Sequence, residues 1–192
     1  MRTLTVIVAP KPPPRRFAYY ERLTRAQQHI YRDSDAVTSL RLPGAAELHP
    51  HVAALDASLM SEDRLAVQVA SQTLLTALTR TFGIGPCRVE VLAARPHGHW
   101  GELQGLYTED RRLPRVQLWM RTARQRRVVA FRTYLRTLLH ELGHHLDYRY
   151  LRFGDSFHTQ GFYQRESSLF HQLVPEARGD LSAPDTANEA DS

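Results

Sequence analysis

The sequence predicts an α+β fold, a small and mainly antiparallel sheet of about three strands packed on helices. Three observations lead there. Arg88–Ala93 and Arg115–Met120 alternate apolar and other residues at period two, and Glu102–Thr108 is a weaker strand between them, interrupted by Gly105. Longer stretches, above all Val128–Arg152, repeat apolar residues at three and four instead, the period of a helix. The polar run Glu109–Pro114 has the character of a tight connection that pairs the last two strands as a hairpin.

With 192 residues, 42% of them hydrophobic and 23% charged, the chain is long enough for a sizeable core and ordinary in composition. It divides into an N-terminal strand or arm and helix (1–50), a main domain (51–175) and a polar tail (176–192) expected to be disordered. Leu4–Val8 reads as a short strand or extended arm, and the proline cluster after it as a stiff spacer. Tyr20, Leu23, Gln27, Ile30 and Tyr31 predict a helix over Phe17–Ala36. Pro43-Gly44 and Pro50 mark Arg41–Pro50 as a linker. A helix is expected over Ser61–Thr81, with Ser61 as its N-cap, Gly83 after its last turn, and Leu65, Val69, Leu74, Leu75 and Leu78 as its core face. Gly154 suits the residue just past the helix that begins near Val128. A last helix, Thr159–Leu173, is stopped by Pro175.

Composition excludes several classes. The formal net charge of +5 is carried almost wholly by arginine, Lys11 being the only lysine. The run Arg121–Arg136 reads as solvated surface, so nothing beyond basic charge supports a nucleic-acid partner. Cys87 is alone, which excludes an internal disulfide and a cysteine zinc ribbon and fits a reducing compartment. No apolar run suits a signal peptide or a membrane span, so a cytoplasmic protein with no membrane partner is expected.

The chemistry is concentrated in Leu138–Asp147, which contains His140-Glu141-Leu142-Gly143-His144. Residues four apart on a helix lie about 40° apart in azimuth, so His140 and His144 project from one face and can share one ion. Glu141 is placed to act as general base toward a metal-activated water. Phe131, Leu135, Leu138, Leu142 and Leu146 form the core stripe, while Thr133, Thr137, His140, His144 and Asp147 form a second stripe suited to a cleft. Gly143 in mid-helix suggests that another backbone packs tightly there. His145, 100° around from His144, is a packing or surface histidine. Asp147 either orients a ligand imidazole from behind, or acts as a cap or pairs with Arg149 or Arg152, and Asp155 is a turn residue. A catalytic zinc takes three protein ligands, and two candidates lie downstream: His158, and Glu166 on the stripe Phe162, Glu166, Leu169, Leu173. A carboxylate on an apolar stripe needs a partner, so Glu166 is a ligand, a partner to a ligating histidine, or half of an ion pair.

The motif followed by His158-Thr159-Gln160-Gly161-Phe162 resembles the SprT-like and Wss-type zinc metallopeptidases, over roughly Arg88–Leu173. The resemblance implies a zincin-like fold with the motif on a long active-site helix and an edge strand that helps bind an extended peptide. It also implies Zn2+ held by His140, His144 and His158, with an aromatic four residues after the third ligand. A rival resemblance, to gluzincins such as thermolysin and to ImmA-like regulators, implies Glu166 of Glu166-Ser167-Ser168-Leu169-Phe170 as third ligand. Residue type and the aromatic spacing favour His158. The DNA-binding and ribbon parts that often accompany SprT-like proteins are not inherited, since one cysteine builds no ribbon.

The expected function is zinc-dependent hydrolysis of a peptide or protein substrate, with Tyr107, Tyr148 and Tyr163 as unranked candidates to stabilise the oxyanion. The alternative is a zinc-containing peptide-binding or regulatory protein with little turnover, against which the intact Glu141 argues.

Overall fold

The computed structural model of the chain describes residues 17–98, 101–110 and 112–175. The expected arm at Leu4–Val8, the proline-rich spacer and the tail over 176–192 lie outside the described residues. Those described form an α+β structure with five α-helices and a three-stranded sheet. No helix among them is long and apolar enough to cross a membrane.

A 3-10 turn, Tyr20–Arg22, precedes α1 (Arg25–Ala36), so the helix expected from Phe17 begins later. Its start is set by Thr24, whose hydroxyl accepts the Gln27 N–H while the Gln27 side chain accepts the Thr24 N–H. Helix α2 (Ala45–Met60) begins inside Arg41–Pro50, which reads in the sequence as linker, and continues past it. Pro50 removes one backbone bond inside it, but Leu48, Val52, Leu55 and Leu59 recur at four, three and four and are buried. Burial of that face outweighs the break.

Ser61 closes α2 instead of opening the next helix, and Asp63 caps α3 (Arg64–Thr81) by accepting the Leu65 N–H. The buried face of α3 is Val67, Ser71, Leu74, Leu75 and Leu78. Leu65 and Val69, expected in the core, are 66% and 59% exposed. Each stands two residues from Val67, about 200° around the helix.

The strands are β1 (Arg88–Ala94), β2 (His97–Gly98), β3 (Gly101–Glu102), β4 (Gly105–Thr108) and β5 (Arg115–Arg121). The weak strand expected over Glu102–Thr108 is thus split into β3 and β4. The main sheet has the order β1-β5-β4 and is mixed, which corrects the expectation of a mainly antiparallel one. Strands β4 and β5 are antiparallel, with Tyr107 opposite Val116, as the short connection between them requires. Strand β1 is parallel to β5, with Val91 opposite Leu118. The chain reverses twice, at the β2–β3 hairpin and again after β4, so β5 returns in the direction of β1 and inserts beside it. This leaves β4 on the sheet edge.

Helix α4 (Phe131–Arg149) carries the motif and α5 (Gln160–Leu173) follows it. The former is shorter than expected: Val128 bridges to Arg121 instead, and past the helix end Arg152, not Gly154, takes the left-handed conformation, with φ 61°. One cluster of buried apolar side chains joins the sheet and helices, and Leu135, Leu138, Leu142 and Leu146 of α4 lie in it. With that stripe buried, the opposite stripe of α4 faces β4 across a cleft.

Candidate metal centre

The cleft encloses about 760 Å³ and runs between α4 and β4, with Thr133, Thr137, His140, Glu141 and His144 along one wall and Leu103–Tyr107 along the other. The side-chain nitrogens of His140, His144 and His158 converge at its floor. His158 Nε2 lies 2.9 Å from His140 Nε2 and 3.1 Å from His144 Nε2, and the three donor atoms all fall within 4.8 Å of one another. Helix α4 places the first two one turn apart. The third comes from the α4–α5 loop, immediately before Thr159, which caps α5 by accepting the Phe162 N–H. Phe162 then sits beneath all three rings, edge-on to His140 and His158 and 4.9 Å from the His144 centroid.

Phe162 also explains Gly143. A Cβ at that glycine would come within 2.9 Å of the Phe162 ring, so the close neighbour is a side chain and not the backbone expected from sequence.

The partners behind the rings decide which nitrogens carry protons. His140 Nδ1 lies 3.1 Å from the Glu166 carboxylate, which only accepts, so Nδ1 is the protonated nitrogen and Nε2 presents a lone pair. Ser156 donates its hydroxyl to Asp147 Oδ2 at 2.8 Å and therefore accepts from His144 Nδ1, also at 2.8 Å. His144 Nε2 is then a second inward lone pair. Burial and the neighbouring imidazoles of His140 and His158 push the His144 pKa down to about 3, and burial lowers that of His158. Neutral rings are what a cation needs. Metal–nitrogen bonds of about 2.0–2.1 Å in tetrahedral geometry put ligand nitrogens roughly 3.3 Å apart, close to the 2.9 and 3.1 Å that separate His158 Nε2 from the other two. The three histidines fit a metal ion.

Glu166 stands apart from that cluster. One oxygen faces His140 Nδ1 and the other lies 3.8 Å from Arg136, whose guanidinium stacks over Phe170. Asp147 is fully buried and paired with Arg165 at 2.7 Å, not with Arg149 or Arg152. Arg149 binds Glu109. Asp155 is a turn residue as expected, accepting the Ser156 N–H.

Glu141 lies against the other wall. Its carboxylate accepts the backbone N–H of Tyr107, and burial raises its pKa to about 7 against the opposing pull of His140 and of that hydrogen bond. A Cβ on Gly105 would collide with the Glu141 carboxylate and come within 2.7 Å of the Thr137 methyl. The glycine that weakens the strand in sequence is the seat of the carboxylate.

The three tyrosines separate. The Tyr107 hydroxyl is engaged with Glu109 and with His145 Nδ1, while His145 Nε2 meets Gly85 O at 3.0 Å, so His145 is the packing histidine expected. Tyr163 stacks on His158 and is 43% exposed. Tyr148 lines the cleft beside Ser156. Sequence reasoning passed over Ser156, Arg165 and Gly105. The one legible signal was opposite charge, Asp147 and Arg165, on helices that succeed one another.

Compared with protein-family models, curated proteins and solved structures, the chain matches none of them.

Proposed function

We propose that the protein is a zinc-dependent metallopeptidase of zincin-like architecture. The observation that supports this best is the meeting of three inward imidazole nitrogens and a seated carboxylate in one cleft beneath an edge strand. His140, His144 and His158 would hold the ion, and Glu166 would act on His140 from behind. When bound, zinc supplies Lewis acidity that acidifies water and polarises a carbonyl. Glu141 takes the proton from that water and returns it to the leaving nitrogen. The exposed edge of β4 aligns an extended peptide by main-chain hydrogen bonding. Of the two phenols that line the cleft, Tyr107 is engaged with Glu109 and His145, and Tyr148 donates to the oxyanion.

The test is Glu141→Gln. Zinc content stays stoichiometric and cleavage of an unfolded casein-type substrate disappears; retained cleavage excludes the mechanism. Wild-type protein that binds zinc and an extended peptide yet cleaves nothing supports the peptide-binding alternative.

A further inference from the structure

We propose that the segment Tyr19–Val37 is a working part of the metal centre, positioning two of its three histidines, so that zinc binding and docking of α1 reinforce each other. The inference rests on the metal reading above. Two separate chains of contacts carry it.

The first reaches His144 through the protein interior. Arg165, 3% exposed on its side chain, donates to the carbonyls of Ser34 and Val37 at 2.6 and 2.8 Å, at the end of α1. Its other terminal nitrogen donates to Asp147 Oδ1 at 2.7 Å and to Ser34 Oγ at 3.1 Å. Asp147 then accepts the Ser156 hydroxyl, which accepts His144 Nδ1–H. A buried guanidinium without its carbonyls and carboxylate is costly, so this chain holds as a unit. The orientation of the His144 ring therefore depends on where α1 ends.

The second chain reaches His158 from the surface. Tyr19 donates its hydroxyl to the His158 carbonyl at 2.7 Å. Asp35 accepts the Gly161 N–H at 3.0 Å, adding to the cap of α5. A Cβ on Gly161 would strike the main chain of Ser34 and Asp35, so α1 and α5 meet backbone to backbone. The loop that presents the third imidazole is thus gripped on both sides by residues that precede it by more than a hundred positions.

Linkage makes the prediction reciprocal: if docked α1 favours the ion, the ion favours docked α1. Zn2+ affinity is measured by competition with a chromophoric chelator for wild type, Ser156→Ala, Ser156→Thr and Tyr19→Phe. Hydrogen exchange of the 25–36 amides is followed with and without Zn2+. In the wild type, zinc slows exchange in α1. Ser156→Ala weakens zinc binding about 10- to 100-fold, the range for lost partners of metal ligands, without lowering the melting temperature of the metal-free protein comparably. Ser156→Thr, which keeps the hydroxyl, restores affinity. Tyr19→Phe, at the surface, weakens binding several-fold and leaves the core intact. Wild type that binds zinc with no change in α1 exchange, or with Ser156→Ala and Tyr19→Phe at wild-type affinity, overturns this inference alone. Wild type that takes up no zinc overturns the metal reading and this inference with it.

Discussion

The two walls of the cleft are built on opposite principles. On the α4–α5 side, His140 is backed by Glu166 and His144 by Ser156 and Asp147. On the β4 side the contribution is main chain: the Tyr107 N–H and the missing side chain of Gly105 hold Glu141. Imidazoles are free to rotate and shift tautomer, so side-chain partners are needed to fix them. A carboxylate needs only a donor and a wall, and backbone supplies both. On the proposed reading, one wall would determine affinity for an ion and the other whether a bound ion is useful.

That contrast can be broken from either side. His144→Ala removes a ligand, and the expected outcome is loss of stoichiometric zinc, by metal analysis, together with all cleavage. Gly105→Ala attacks the opposite wall: zinc content is kept while kcat/KM falls about 100-fold or more, because the base is displaced by an ångström or so. A Gly105→Ala protein that lost zinc as well would show that the walls are not independent. Tyr148→Phe sharpens the reading of the cleft, with kcat reduced about 100-fold at unchanged zinc affinity. Glu166→Gln weakens zinc binding by about tenfold, since an amide does not favour the Nδ1–H of His140 as a carboxylate does. The smallest effect concerns Cys87, outside the cleft, where burial pushes the thiol up to about 12. Thiolate is scarce at pH 8, so a thiol reagent labels the native protein slowly and the unfolded protein at once.

The parts of this picture visible in the sequence are those that repeat within one element. The stripe Leu135, Leu138, Leu142, Leu146 and the pair His140, His144 follow from helical spacing alone, and the structure buries the first and gathers the second. His158 is favoured over Glu166 by residue type and by the aromatic spacing that the family resemblance implies, and the ring of Phe162 supports the three imidazoles. Contacts between distant elements were not visible. Nothing near Ser156 announces that Asp147 will accept its hydroxyl, and Gly105 reads as a flaw in a strand because nothing local places Glu141 against it. Helix α2 was hidden by Pro50, because a local rule about proline carries no knowledge of the apolar face that burial rewards. The mixed character of the sheet was hidden for the same reason: alternation identifies β1 and β5 but not that β5 inserts beside β1 and parallel to it.

The edge strand β4 is only four residues long, Gly105–Thr108, and one of its amides is already spent on Glu141. A guest laid along it gains few ladder bonds, too few to pull a segment out of a folded domain against that domain's own cooperativity. The protein as proposed therefore selects by conformation before it selects by residue type. Under that proposal, chain that is already loose, such as a tail or a linker, would be cut, and well-packed domains would not.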